Sequence, residues 1–300
     1  MNQEICQLKN QMDSLKIELL KLKESLDFLN ERLPCLFIPD SNYPKEDISV
    51  VIGIRDRYDY RIENALKSLR NQDYDKNLIK ILVVDYGSQI KHFLKLKRLC
   101  ERYNAEYIRV RRISCWNRAH CLNIGIKKSN TKYILLSDVD IVFEKNYISE
   151  GIKELKKNPS QIIFSEVFES KEEDINEKTN ILRNFDKIKA RCSNRNELTK
   201  MYDYTFGLGI ILTLNYFFKQ INGLDENYRV WGFEDEDLIA RFKMMGLKLK
   251  KLENTSYIHQ WHPRYEGVKA EDKPQIEKNL AYLRNSHTIK RNLFGWGDPN

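Results

Sequence analysis

The stretch "ILLSDVDIVF", residues 134–143, places two aspartates one residue apart directly after a run of apolar, β-forming residues. Such a run indicates a buried strand, and Asp138 and Asp140 then lie at its carboxyl end. Aspartate is common in turns, because its side chain can bond its own backbone. Residues two apart on an extended chain point to the same side, however, so both carboxylates can face one site and share a hard cation. The flanking sequence has to decide between these two interpretations.

Strand-like and helix-like patterns alternate around this motif from residue 48 onward. Repeated alternation implies an α/β fold with a mostly parallel sheet covered by helices. Ligands of such sheets bind beyond the carboxyl ends of the strands, which is where the two aspartates lie. The predicted strands are 48–54, 79–85, 105–110 and 132–138, and the predicted helices lie near 59–71, 89–102 and 117–129.

The composition of the 300-residue chain, 41% apolar and 11% aromatic, is that of a folded protein. Its net charge of +8 permits anionic partners, but the lysines are scattered and the largest basic cluster, "RVRRIS" (109–114), is short. We therefore expect no nucleic acid partner. The six cysteines form no Cys-x-x-Cys pair, and neither a signal peptide nor a transmembrane-length apolar run is present. These features predict a cytoplasmic protein, and peripheral association with a membrane stays open.

Residues 1–33 carry apolar residues spaced alternately three and four apart, a heptad repeat with leucine at every d position. Glu4 with Lys9 and Glu18 with Lys23 fit the g and e positions of a parallel partner, so we expect a coiled-coil homodimer, or a trimer. The alternative is one amphipathic helix docked on its own domain. The apolar positions are Ile5, Leu8, Met12, Leu15, Leu19, Leu22, Leu26, Leu29 and Leu33.

Pro34 ends this predicted helix, because proline cannot continue the backbone hydrogen bonds of a helix. Residues 34–47 contain three prolines and are predicted to be a linker. Residues 48–300 are then one α/β domain with a C-terminal helical tail.

Two arginines follow the first predicted strand, in "GIRDR" (53–57). Guanidinium groups at a strand end suit a diphosphate or the polar edge of a base. The chain contains neither a P-loop nor a dinucleotide-binding Gly-x-Gly-x-x-Gly. A phosphate-bearing ligand therefore has to be held by Arg55, Arg57 and a metal ion instead.

Four consecutive acids, residues 234–237, open a helical pattern within "YRVWGFEDEDLIARF" (228–242). Acids in a first turn complement the helix dipole, but four of them directly after Trp-Gly-Phe exceed what capping requires. A tryptophan beside carboxylates suits a sugar ring, which offers an apolar face and hydroxyl groups. Further on, "YIHQWHPRYE" (257–266) supplies two histidines after a strand-like segment. Single histidines are often structural, but this chain already carries a candidate metal motif.

Together these segments resemble the GT-A fold glycosyltransferases, specifically the β-1,4-galactosyltransferase and chondroitin-polymerase-like families (families 2 and 7). "WNRAHCLNIGI" (116–126) is similar to their Phe-Asn-Arg-Ala…Leu-Asn-Val-Gly segment, and "SDVDIVF" (137–143) to their Asp-Val-Asp. "FGLGIILTLNYFFKQINGLDENYRVWGFEDEDL" (206–238) is similar to their Gly-Gly-Val…Trp-Gly-Trp-Gly-Glu-Asp-Asp-Asp block, and "IRDR" (54–57) to their arginine-rich first strand end. The resemblance covers about residues 48–265 and implies a Rossmann-like GT-A domain.

The resemblance also implies a role for each matching residue. Asp140 would ligate the metal ion, with His259 completing the metal shell and His262 as the alternative. Asp138 would lie near the ribose, and Asp235 would be the general base. The remaining uridine diphosphate (UDP) contacts would be Arg55, Arg57, Asp85, Trp116 and Arg118, and the residues around the acceptor sugar would be Trp231, Glu234 and Asp237.

These roles imply a metal-dependent, inverting transfer of galactose, N-acetylgalactosamine or N-acetylglucosamine from a UDP-sugar to a hydroxyl of a glycan or glycosylated acceptor. Mixed oxygen and nitrogen ligands favour Mn²⁺ or a similar divalent cation. The alternatives are a metal-dependent nucleotidyl- or phosphotransferase and a non-catalytic, carbohydrate-binding coiled-coil scaffold. The chain departs from the family at Phe233, which replaces a glycine beside the acceptor, and at Tyr86, where an acid is common.

Overall fold

The structure, a computed structural model, describes residues 45–111, 115–194, 209–263, 270–285 and 288–299. The predicted coiled coil (1–33) and most of the predicted linker lie outside the described residues, so both stay predictions. No helix in the described ranges has the length and apolar character needed to cross a bilayer.

The alternating strands and helices expected from residue 48 onward are present, with boundaries within two residues of the prediction. β1, "ISVVIGI", is buried along almost its whole length, as expected of a parallel strand covered by helices on both faces. The strands are β1 (Ile48–Ile54), β2 (Ile79–Tyr86), β3 (Glu106–Val110), β4 (Tyr133–Ser137), β5 (Ile141–Phe143), β6 (Gln161–Glu169), β7 (Ser193–Asn194), β8 (Ile211–Leu214) and β9 (Lys248–His259). The helices are α1 (Tyr60–Arg70), α2 (Ile90–Arg102), α3 (Arg118–Lys128), α4 (Tyr147–Lys157), α5 (Phe185–Lys189), α6 (Asn215–Gln220), α7 (Glu234–Met244) and α8 (Lys273–Asn285).

The described strands form one mixed sheet in the order β3-β2-β1-β4-β8-β6-β9-β5, with β7 paired to β6. β3, β2, β1 and β4 are parallel neighbours, so their carboxyl ends meet at one edge. β8 pairs antiparallel with β4 and begins the second half of the sheet. In that half β5 pairs antiparallel with β9, and Ile141 lies opposite His259. This register brings the end of β9 beside the Asp-x-Asp segment.

Helix α3 packs closely on β1 because it carries a glycine at the point of contact. A Cβ added to Gly125 would lie 2.4 Å from Cγ1 of Val51, so no larger residue fits without movement. Asn117 caps the start of the helix, and its side chain accepts a hydrogen bond from the backbone N–H of His120. This cap fixes the start of α3, and with it Arg118, at the carboxyl edge of the sheet.

Candidate active site

Asp140, His259 and His262 meet at the carboxyl edge of the sheet, with one ligand atom from each lying within 4.8 Å of the others. The Asp140 side chain is only 3% exposed, and its Oδ1 accepts no hydrogen bond within the described part of the chain. A buried carboxylate oxygen without a donor is costly unless a cation or another donor satisfies it. The prediction named His259 with His262 as the alternative, whereas the structure brings both imidazoles to Asp140, at 3.7 Å and 3.6 Å.

Gln260, between the two histidines, fixes this segment against the sheet and helix α1. Its backbone N–H donates to the carbonyl of Asp140 at 2.8 Å. Its buried side chain donates to the carbonyl of Arg61 and accepts a hydrogen bond from Asn64. Because both its backbone and its side chain are engaged, the two histidines have little freedom to move relative to Asp140.

The carboxylate of Glu169 orients the His259 ring. β6 and β9 are parallel with Glu169 opposite His259, and Glu169 Oε2 lies 2.8 Å from His259 Nδ1. A carboxylate accepts only, so Nδ1 carries the proton and Nε2 of the neutral ring carries the lone pair. His262 has the same tautomer, because its Nδ1 lies 2.9 Å from the carbonyl of Pro263. No sequence signal indicated Glu169, which lies 90 residues from its partner.

The loop after β1 carries the arginine pair, and hydrogen bonds join it to the loop after β2 at this edge. Asp56 adopts a left-handed conformation (φ 54°), its N–H donates to Ser88 Oγ at 2.8 Å, and its carboxylate accepts from the N–H of Gln89. Both flanking arginines are half-buried, and a terminal nitrogen of Arg57 lies 3.7 Å from Oδ2 of Asp140. Arg57 is therefore beside the candidate metal cluster, and Arg55 is at the same strand end.

Asp85 lies at the end of β2 and is engaged by its own chain. Its carboxylate is fully buried and accepts hydrogen bonds from the backbone of Ser88 and the hydroxyl of Tyr107. Each oxygen thus accepts a hydrogen bond from the chain itself, and Asp85 holds the loop that joins Asp56. Its expected contact with the nucleotide stays a prediction.

Tyr86 and Trp116 form an aromatic pair next to this loop, with ring centroids 5.7 Å apart in an edge-to-face arrangement. His120 Nε2 donates to the carbonyl of Asp298, so its Nδ1 accepts from the Tyr86 hydroxyl at 2.9 Å. The position where an acid is common in the resembling families thus holds a tyrosine engaged by its own fold. Trp116 is partly buried and remains a candidate for stacking on a base.

Arg118 connects the Asp-x-Asp motif to the acidic helix start. Its guanidinium lies 2.8 Å from Asp138 and 3.5 Å from Glu234. Burial opposes its charged form, but the negative charges of Asp138 and Glu234 outweigh that cost and raise the pKa of Arg118. Arg118 therefore stays charged and fixes the direction of both carboxylates.

Asp235 lies on the same side of the site as Asp138. A Cβ built on Gly209 would lie 3.5 Å from Asp138 Oδ2 and 3.6 Å from Asp235 Oδ2, so both carboxylates approach one point. Burial, followed by the charge of Asp235, raises the pKa of Glu234. Burial and a hydrogen bond with Asp235 raise the pKa of Glu236 as well. Asp235 is therefore flanked by two carboxyl groups that hold their protons more strongly than usual.

The Trp-Gly-Phe loop before α7 has an unusual backbone. Val230, Gly232 and Phe233 all have positive φ, at 69°, 96° and 76°, and such strain in non-glycine residues clusters at functional sites. The family's glycine at position 233 is thus replaced by phenylalanine although the backbone keeps the conformation that favours glycine. Trp231 is 52% exposed, and the loop is held by the buried Asn279 of α8, whose amide donates to backbone carbonyls of the loop.

Asp237, expected near the acceptor, is buried away from solvent. Its carboxylate lies 2.6 Å from Nε of Arg241 and 3.5 Å from Arg291. An acceptor contact would require breaking these buried ion pairs. Asp237 joins α7 to the C-terminal tail, and its expected role near the acceptor stays a prediction.

Comparison with known proteins places this arrangement in a family. The family described as glycosyltransferase like family 2 matches residues 49–270, most of the chain. The chain belongs to this family, and it is a glycosyltransferase.

Individual relatives agree with this assignment. The chain is 23% identical to human beta-1,4-galactosyltransferase 4 over 294 residues, which cover 95% of this chain and 72% of that protein. Its fold is similar to GalNAc-T7, solved with UDP, GalNAc and Mn²⁺, at a TM-score of 0.58 and 13% identity over 81% of this chain. It is also similar to S. aureus TarS 1-349, solved with UDP, at a TM-score of 0.55 and 14% identity over 79% of this chain. The matches span 48% of the GalNAc-T7 chain and 65% of the TarS chain.

Proposed function

We propose that this glycosyltransferase moves a hexose or N-acetylhexosamine from a UDP-sugar to a hydroxyl of a glycan or glycosylated acceptor, with inversion and with help from a divalent cation. The observation that carries the proposal is the meeting of Asp140, His259 and His262 at the strand ends, next to Arg57. The solved neighbours contain UDP, and one of them contains Mn²⁺, which supports the same donor and ion here.

The three side chains fit a divalent transition metal. One carboxylate oxygen and two imidazole nitrogens form a mixed donor set, which suits Mn²⁺ better than Ca²⁺. The buried Oδ1 of Asp140, which no described residue donates to, supplies the negative charge such an ion needs. When bound, the ion would act as a Lewis acid that stabilises the negative charge of the departing diphosphate.

Arg57 and Arg55 would bind the diphosphate itself. Arg57 is partly exposed and near Asp140, so its guanidinium can reach phosphate oxygens on the open side of the site. Arginine binds phosphate through two parallel N–H donors, which orients the group as well as neutralising it. Asp138, held by Arg118 and partly exposed, is the candidate acceptor for a ribose hydroxyl.

Asp235 is the candidate base. It is partly exposed and lies beside Asp138 at the point marked by Gly209, whereas Glu234 and Asp237 are buried in contacts with arginines. Its carboxylate would accept the proton of an acceptor hydroxyl as that oxygen attacks the sugar. Attack by the acceptor itself, in a single displacement, gives inversion at the anomeric carbon.

The test is release of UDP from a panel of UDP-sugars in the presence of Mn²⁺, with the sugar transferred to water where no acceptor is supplied. We expect UDP together with free galactose, N-acetylgalactosamine or N-acetylglucosamine, released first as the β anomer from an α-linked donor. Release of UMP with a sugar phosphate would instead assign a phosphotransferase. An α anomer formed first would show a retaining mechanism.

We also propose that residues 1–33 join two copies of the chain in parallel, or three, because their heptad stripe needs another helix to bury it. This assembly is separate from the chemistry, since every candidate site residue lies after residue 48.

A further inference from the structure

Helix α2 (Ile90–Arg102) carries two aliphatic side chains on its solvent side. Ile90 is 71% exposed and Leu94 is 49% exposed. Residues four apart lie on one face of a helix, so the two form a single apolar spot. The opposite side of α2, with Leu96, Leu99 and Cys100, is buried in the core. The exposed pair therefore does not contribute to the packed core of the domain.

The same solvent side is strongly cationic. Lys91, Lys97 and Arg98 are exposed and form no ion pair within the described residues. Lys95 lies over the Tyr58 ring, and Arg102 contributes to a pair with Glu63. Glu101 is the one acid among the exposed side chains of this helix. We call the set Ile90, Lys91, Leu94, Lys95, Lys97 and Arg98 the α2 face.

The α2 face begins next to the candidate site. Ile90 follows Gln89, whose N–H donates to Asp56 between the two candidate diphosphate arginines. On the neighbouring edge strand β3, the exposed Arg109 stacks on Phe93 at 3.6 Å and adds another cation. Positive charge therefore continues from the rim of the site along the helix.

The combination of cationic and aliphatic side chains on the α2 face indicates what kind of partner it binds. Exposed lysines around aliphatic side chains suit a surface that offers negative headgroups over an apolar layer. A single-stranded nucleic acid would also be attracted by the charge, but it is usually held by exposed aromatic side chains, and Phe93 is covered by Arg109. We infer that the α2 face docks on an anionic phospholipid bilayer, with Ile90 and Leu94 entering the headgroup layer.

Sedimentation of the full chain with vesicles tests this. The vesicles are phosphatidylcholine alone or phosphatidylcholine with phosphatidylglycerol, at several salt concentrations. We expect the chain to bind only the anionic vesicles. Each cation near such a surface contributes about a fivefold gain in binding, so K91Q/K97Q/R98Q should lose roughly 100-fold. The matched control K171Q/K178Q/K187Q removes the same charge from exposed lysines elsewhere and should bind nearly as the wild type.

A second pair of variants separates docking from simple charge attraction. I90S/L94S should lose the part of the binding that survives high salt, whereas L293S/F294S, which alters exposed apolar residues elsewhere, should not. Equal losses in the two charge triples, or no vesicle binding by the wild type, would overturn the inference. Binding to single-stranded RNA that is lost in K91Q/K97Q/R98Q but unchanged in I90S/L94S would assign the face to nucleic acid. Thermal unfolding of each variant controls for the fold.

Discussion

The carboxylate of Glu169 lies 2.8 Å from Nδ1 of His259, while Nε2 of the same ring lies 3.7 Å from Asp140. Glu169 thus contacts the ring nitrogen of His259 that is not the candidate metal ligand. Partners at that position set the tautomer and the basicity of a histidine. The arrangement comes from the parallel pairing of β6 with β9.

Removing this partner should weaken binding of Mn²⁺. We expect Glu169→Ala to lower the affinity by roughly 10- to 100-fold, and Glu169→Gln, which can still accept from Nδ1, to lose less. Glu166→Ala is the control, since Glu166 lies on the same strand but pairs with Lys251. Calorimetric titration with Mn²⁺ measures the effect. Unchanged affinity in Glu169→Ala would show that the contact is only structural, whereas no binding by the wild type would remove the metal site itself.

Asp140→Asn should abolish Mn²⁺ binding and transfer while leaving the fold intact, because it removes the negative charge at the cluster. Excess chelator should inactivate the wild type in the same way. Full UDP release in chelator would disprove the role of the ion.

Asp235→Asn should lower the rate of transfer by about 10²- to 10⁴-fold and leave affinity for UDP unchanged, since the proposed base acts on the acceptor side. UDP release and calorimetric UDP binding measure the two quantities separately. A variant that lost UDP affinity instead would place Asp235 on the donor side.

Because the backbone of Phe233 is left-handed, two substitutions that both remove its ring should differ in stability. Phe233→Gly should be more stable than Phe233→Ala by about 1 kcal/mol, because only glycine adopts a φ of 76° without strain. Urea unfolding of the two variants gives the difference directly. Equal stabilities would mean that the loop relaxes once the ring is gone.

Deleting residues 1–33 should leave a folded monomer with full UDP affinity, because the candidate site residues all come later in the chain. Light scattering of both forms at micromolar concentration gives the oligomeric state. A monomeric full-length chain would refute the predicted coiled coil. Loss of UDP binding on truncation would show that this helix packs on its own domain.

The sequence predicts the parallel half of the sheet well, since apolar runs and amphipathic helices alternate regularly along that part of the chain. It predicts the second half of the sheet, which begins at β8, poorly. β5 is only three residues long, and its partner β9 lies more than a hundred residues away. Short strands with distant partners leave no local period to detect.

The same contrast holds within the candidate site. Asp140 and His259 were found through motifs, but Glu169 and Gln260 act through contacts that only the folded sheet creates. The contacts that engage Asp85 and Asp237 within the chain are hidden from the sequence for a related reason. Each aspartate lies where the motifs predict a ligand contact. Only the folded structure shows that the carboxylate of Asp237 is already paired with Arg241 and Arg291.

Asn279 holds the Trp231 loop through hydrogen bonds, so the two sides of the site depend on different parts of the chain. The proposed donor side is built on β1, β5 and β9, whereas the loop beside the proposed acceptor is fastened by α8, which lies beyond the region matched by the family. Mutations in α8 can therefore tilt or loosen that loop without disturbing the ends of β5 and β9. If the proposed sides are right, substitutions in α8 could change the preference for an acceptor without changing the residues that bind the nucleotide.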